Sequence, residues 1–242
     1  VSAGRRLRSG GVVSVVGLTL AWWVLWGTWS WWSLLAVPAA DFQLLAIPEG
    51  IDTEQALLLT DNLATGWAAA KRADIPVGGT VVVIGAGAVG QCAIRSAFVL
   101  GAATVFAVDP VEARRMRAAA VGARVVEAPA SQTILDATAG LGADSIIDAV
   151  GTDASLDDAL ASIRTGGTLS VVGVHDLAPY PLPALVCLLR SLTIRMTTAP
   201  VQQTWPELIP LLQAGRLRVD GIFTGALPLD DAAQAYAAAV SR

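Results

Sequence analysis

The hexapeptide Gly85-Ala86-Gly87-Ala88-Val89-Gly90 constrains this chain more than any other feature, because its flanks match its spelling. It follows the apolar run Thr80-Val81-Val82-Val83-Ile84 and opens a stretch with helical periodicity, Val89 to Leu100. A second apolar run, Thr104-Val105-Phe106-Ala107-Val108, ends on Asp109, 24 positions after Gly85. Strand, glycine turn, helix, strand and terminal acid together make the dinucleotide-binding fingerprint. Gly85 serves the tight turn out of the strand, Gly87 the approach of backbone to a pyrophosphate, and Gly90 the close packing of helix on sheet. The N–H groups of Ala88 and Val89 open the helix and offer its positive end to phosphates. Asp109 is placed to accept hydrogen bonds from the adenosine ribose, and its charge repels a 2′-phosphate, which favours NAD over NADP.

The runs that follow keep the same alternation. Unbroken apolar segments at 81–84, 105–108, 124–126, 145–150 and 168–174, with a sixth near 192–196, read as strands buried on both faces. Helical patterns fill the gaps at 89–100, 111–121, 131–139, 154–163 and 205–214, with Pro110 expected at a first helical position. This predicts an α/β fold, a doubly wound parallel (Rossmann) sheet. Upstream, Asp52-Thr53-Glu54-Gln55 reads as a capping box, followed by a break at Thr60-Asp61 and a short helix from Trp67 to Lys71.

Composition removes several function classes. The net charge is −4 with no clustered basic run, which argues against nucleic acid. There are two cysteines, Cys92 and Cys187, no C-x-x-C, and one histidine, His175, so a cysteine-rich zinc lobe is absent. Asp157-Asp158 and Asp230-Asp231 read as helix-start acids rather than acid/base pairs. Neither Tyr180 nor Tyr236 is followed by the lysine that a Tyr-x-x-x-Lys dehydrogenase needs.

The first forty residues stand apart. No charge occurs between Arg8 and Asp41, and six of the eight tryptophans lie between Trp22 and Trp32. Residues 11–37 have the length and apolarity of a membrane span or signal anchor, with Arg5, Arg6 and Arg8 on the cytoplasmic side. Tryptophans through the middle of the span favour instead an aberrant or out-of-frame start, and a buried helix is the third reading. The domain reading is therefore 1–37 as an aberrant or hydrophobic segment, 38–66 as a residual connection, 67–200 as the dinucleotide-binding domain and 201–242 as returning C-terminal helices.

Taken in order, Leu58-Leu59-Thr60-Asp61-Asn62-Leu63-Ala64-Thr65-Gly66-Trp67, the glycine turn with its strand, Ala143 to Gly151, Gly166 to Val174 and Leu227 to Ala232 resemble the medium-chain, zinc-dependent alcohol dehydrogenase family over roughly 37–242. The acid at Asp61 looks most like the formaldehyde-dehydrogenase-like branch. The resemblance implies hydride transfer between an alcohol or aldehyde and NAD, zinc as the family's metal, a cytoplasmic homo-oligomer and a small-molecule substrate. It matches Asp61 to a zinc ligand, for which a turn aspartate is the competing reading, and Thr65 to a residue beside the nicotinamide. Arg114 matches a ribose contact, and Val150, Val172 and Val174 match the nicotinamide pocket. The family's cysteine, His-Glu pair and proton relay have no counterpart in this sequence, and a catalytic zinc needs three protein ligands. A catalytically inactive NAD-binding remnant, a membrane-anchored NAD-binding protein and a zinc-free NADPH-using quinone-reductase-like member are the competing functions, the last opposed by Asp109.

Overall fold

The computed structural model describes residues 39–240, so the segment 11–37 read as a membrane span lies outside the described residues. Ten helices and six strands are described: α1 Ala40–Gln43, α2 Thr53–Leu59, α3 Asn62–Arg72, β1 Thr80–Ile84, α4 Ala88–Val99, β2 Thr104–Val108, α5 Glu112–Ala119 and β3 Arg124–Val126 come first. They are followed by α6 Ser131–Ala137, β4 Ala143–Asp148, α7 Asp153–Ser162, β5 Ile163–Val171, α8 Ala184–Leu189, β6 Thr193–Met196, α9 Val201–Gln213 and α10 Ala232–Val240. The strands form one sheet in the order β3-β2-β1-β4-β5-β6, every pairing parallel. Chain direction across the sheet reverses between β1 and β4, the switch point at which open α/β sheets bind ligands.

Both faces of the central strands β1, β2, β4 and β5 are covered, as unbroken apolar strands require. The edge strands β3 and β6, expected to be buried on both faces, leave Val125 and Met196 exposed because each has a neighbour on one side only. Val82, Ile84, Phe106, Val108, Ile146 and Leu169 pack with Ile134 of α6 and Leu156, Ala159 and Leu160 of α7. The alternate residues Val81, Val83, Val105, Ala107 and Ile147 pack with alanines of α3 and α4 and with Ile94. Each of these fully buried aliphatic side chains contributes about 1.5–3 kcal/mol of burial energy. A third cluster joins α2, α3 and α9 through Leu58, Leu63, Trp67, Leu208 and Leu212.

The Asp52–Gln55 capping box forms, with Gln55 N–H donating to Asp52 and Asp52 N–H to Gln55. Other boundaries depart from the sequence reading. The helix expected from Trp67 begins at Asn62, because Leu63 and Ala64 are fully buried and draw it back to the Asp61 break. α9 begins at Val201 and runs through Pro206 and Pro210, its buried Thr204, Leu208 and Leu212 spaced four apart down one face. Pro110 lies before its helix rather than in it: the Val111 N–H donates to Asp109 Oδ1 and delays the start to Glu112. Asp157 and Asp158 fall in the middle of α7, not at its start, since Thr152 supplies the N-cap. β5 ends at Val171, because Val172 and Gly173 turn their N–H groups onto the Asp148 carbonyl oxygen.

Candidate functional site: the crevice at the switch point

β1 leaves the sheet through Gly85, whose φ of +87° is open to glycine at little cost. Gly90 faces it so closely that a Cβ there would stand 1.8 Å from the Gly85 carbonyl oxygen, which ties α4 down on the turn. A Cβ on Gly87, by contrast, would meet nothing within 4 Å. The turn therefore carries one glycine for conformation, one for packing and one bordering open space. Gly87 is the N-cap of α4 and offers no side chain, so the first-turn N–H groups, those of Ala88 and Val89 among them, are left to a ligand.

Asp109 closes β2 and is 1 % exposed. Its Oδ2 accepts from Ala86 N at 2.8 Å and its Oδ1 from Val111 N at 2.8 Å, while Arg114 Nη1 stands 3.5 Å from Oδ2. The carboxylate thus holds the glycine turn against the end of β2, and the Arg114 guanidinium balances its charge. Gln91, also buried, braces the turn from behind, donating to the Ala86 and Arg114 carbonyl oxygens.

Across the switch point, Asp148 is fully buried at the end of β4. Its Oδ1 accepts from Val150 N at 2.8 Å and Gly151 N at 3.1 Å, and its Oδ2 from Ser155 Oγ at 2.9 Å. Burial pushes its pKa above the ordinary carboxylate range, and these hydrogen bonds pull against that shift. The same residue's carbonyl fixes the end of β5, so one aspartate joins β4, β5 and α7. Gly151 and Gly173 meet where the two strands finish, a Cβ on Gly151 falling 2.5 Å from the Gly173 carbonyl carbon.

Between these two halves lies a crevice of about 680 Å³. Gly85, Gly87, Asp109 and Arg114 line it from one side, Val150, Thr152 and Ser155 from the other, and Ala128-Pro129 close one end. Asp158, carried by α7, accepts from the N–H groups of Ala130 and Ser131 and anchors that end. Polar groups converge on an otherwise apolar hollow, the usual make-up of a cofactor site.

Of the residues expected at a site, Gly85, Gly87, Asp109, Arg114 and Val150 border this one crevice, with Ala88, Val89 and Gly90 in the first turn of α4 behind it. Val172 is half-buried against the helix-covered face, and Val174 is 91 % exposed in the loop after β5; neither lines the crevice. Thr65 and Asp61 are a pair elsewhere, Thr65 Oγ1 donating to Asp61 Oδ1 at 3.0 Å at the start of α3. His175 is held in its loop by Asp153 at 2.7 Å and by Asp176, and the Asp153 hydrogen bond raises its pKa.

Among the described residues a zinc site does not assemble. No group of three or more His, Cys, Asp or Glu able to hold a metal occurs among the described residues. The segment 1–38 and residues 241–242 contain none of these residue types. Cys92, the thiol on α4, is buried with its pKa pushed up to about 12, far from the thiolate a metal needs. Asp61 alone is one ligand where three are required.

Asp148, Ser155, Asp158 and Gln91 are the residues of this site that sequence reasoning passed over. Thr152-Asp153-Ala154-Ser155 had the spacing of an N-cap pair, and Thr152 and Ser155 do cap α7. The partners of Asp158 lie 27 and 28 positions away, and Gln91 reaches the Arg114 carbonyl across 23, contacts that leave no local signal.

Comparison with known proteins gives a consistent picture. A family model described as zinc-binding dehydrogenase matches residues 88–214. A probable zinc-binding alcohol dehydrogenase of Mycobacterium tuberculosis is 73 % identical over 209 residues, which cover 86 % of this chain and 54 % of that protein. An alcohol dehydrogenase of Cupriavidus necator is 34 % identical over 207 residues, covering 83 % and 56 %. Among solved structures, an alcohol dehydrogenase from Thermus sp. ATN1 superposes with a TM-score of 0.81 at 34 % identity, over 85 % of this chain and 62 % of that one. The chain spans about half the length of the curated relatives it matches.

Proposed function

The chain belongs to the zinc-binding dehydrogenase family, and from that premise we propose that its switch-point crevice holds NAD for the oxidation of an alcohol or the reduction of an aldehyde. The observation that carries this reading is the glycine turn: open space at Gly87 faces the uncapped first turn of α4, beside the Asp109 carboxylate. The N–H groups of Ala88 and Val89 would bind the pyrophosphate, with Gly87 leaving it room. Asp109 would accept from the adenosine ribose on the lone pairs its backbone bonds leave over, and Arg114 would sit beside that ribose. Val150, which lines the crevice, would border the nicotinamide, while Val172, Val174 and Thr65, which do not line it, would meet that ring only beyond the crevice's rim; the ring, when bound, accepts or gives up the hydride.

The remaining chemistry of the family runs through zinc, and this chain's residues do not fit a zinc site, so no step is assigned to one. Residues 67–200 would form the dinucleotide-binding unit, with 38–66 and 201–242 as its connection to a substrate-binding part. The packing of α2 and α9 on α3 supports that division. Assignment to the formaldehyde-dehydrogenase-like branch rests on Asp61 alone.

The test is a titration of NAD, NADP and AMP into the chain. NAD and AMP are expected to bind and NADP to bind at least tenfold more weakly; equal affinity for NAD and NADP, or no binding of either, would overturn the reading.

A further inference from the structure

A second crevice, of about 620 Å³, lies apart from the switch point, between α4, α5 and the segment after α9. Four arginines line it: Arg95, Arg117, Arg216 and Arg218. They come from three separate stretches of chain, and Asp220 is the only acid with them. Four guanidinium groups against one carboxylate is a pronounced local excess in a chain whose net charge is −4.

The arginines are not all accounted for by pairing. Arg218 Nε bonds Asp220 Oδ2 at 3.0 Å, which neutralises one of them. Arg117 sits in the last turn of α5, where the helix dipole favours a cation. Arg117 and Arg216 have no side-chain hydrogen bond or ion pair to another described residue. Arg95 is the most constrained. It is only 7 % exposed, donates to the Gln91 carbonyl and Oε1 at 3.0 Å, and reaches the Asp220 carbonyl at 2.8 Å. Its guanidinium carries more N–H groups than those three bonds use. A buried cation costs free energy to desolvate, and its acceptors here are uncharged carbonyl and amide oxygens, so its charge is solvated but not cancelled. Its position is fixed in advance, so a ligand would meet an ordered donor rather than one it must immobilise.

From this geometry we propose that the Arg95–Arg117–Arg216–Arg218 crevice is a binding site for a small, multiply charged anion of the phosphate-ester or pyrophosphate class. Planar guanidinium forks suit phosphate oxygens, and several of them around one hollow select for charge greater than one. Phe98 beside the arginines gives the crevice an apolar flank against which the organic part of a phosphate ester would lie. Gln91 touches both Arg95 and the glycine turn, but anion binding at the arginines requires no ligand at that turn.

The experiment is calorimetric titration of inorganic pyrophosphate into the whole chain at fixed ionic strength, with sulfate as the competing ion. Pyrophosphate is expected to bind the Gly87→Val chain, whose other crevice is obstructed, with one-to-one stoichiometry, and to weaken at least tenfold when Arg117→Gln/Arg216→Gln is added. Arg216→Gln alone, at an exposed position where folding is not at risk, is expected to weaken it at least threefold. Binding lost in Gly87→Val but kept in the arginine variants would overturn the proposal, as would displacement by equimolar sulfate or no binding at all.

Discussion

The Asp109 carboxylate accepts a 2.8 Å hydrogen bond from the backbone N–H of Ala86, so the acid that ends β2 also holds the glycine turn that ends β1. The residue therefore has two separable duties. Asp109→Asn keeps an acceptor for one of the two backbone N–H groups and loses the negative charge. Asp109→Gly removes both and leaves the Ala86 N–H buried without its partner, at a cost of about 1–3 kcal/mol. Asp109→Gly is expected to weaken NAD binding about 10- to 100-fold, to lower the melting temperature and to relax discrimination against NADP. Asp109→Asn is expected to relax discrimination with a smaller loss of stability, as thermal unfolding and paired titrations would register.

Gly87 and Gly90 are three residues apart and should respond oppositely. A methyl on Gly90 meets the Gly85 oxygen at 1.8 Å, so Gly90→Ala forces turn and helix apart. A loss of about 2–4 kcal/mol in folding stability is expected from such overpacking. Gly87→Ala meets nothing, and its stability should stay within about 0.5 kcal/mol of the parent. Its NAD affinity should nevertheless fall, because the methyl stands where the pyrophosphate would approach. Denaturant unfolding alongside NAD titration separates the two.

Removing Asp148 should be the most damaging change at the far side of the crevice. Asp148→Ala takes the acceptor from the part-buried Val150 N–H and the buried Gly151 N–H, while the Ser155 hydroxyl is left donating only to the Thr152 carbonyl. About 2–4 kcal/mol is the expected loss, read by chemical denaturation. Because burial raises its folded pKa above the unfolded value, ionisation opposes folding: the contribution of this group is greatest at low pH and declines as pH rises from about 4 through the raised value. Asp148→Asn should flatten that slope.

His175 shows the same sign at a higher pH. The Asp153 hydrogen bond raises its folded pKa, so its stabilising effect is complete below about pH 6.5 and is lost as pH climbs through the folded value. His175→Gln should remove that decline from a melting-temperature profile between pH 6 and 8 and leave NAD affinity unchanged, since His175 borders no part of the crevice.

How far the sequence could be read depended on the range of each interaction. The glycine turn, the capping box and the alternation of strands and helices are local patterns, and the sheet that they predict is the one that forms. Asp109 was legible because it ends a strand next to the one carrying the turn. What was hidden depends on distant partners: Asp158 caps backbone 27 and 28 residues away, and Arg95 reaches Asp220 across 125. The same limit explains the start of α9, four residues earlier than the 205–214 pattern predicts, where buried Thr204 extends the helical face upstream. It also explains Gly151 and Gly173, whose mutual closeness exists only once β4 and β5 lie side by side.

The most direct test is a backbone amide spectrum of the chain titrated with NAD. The account predicts that the largest shifts fall on Gly87, Ala88 and Val89, with Asp109 moving in parallel and the α9 amides still. NAD binding that leaves those turn amides unmoved, or no binding at saturating NAD, would contradict it.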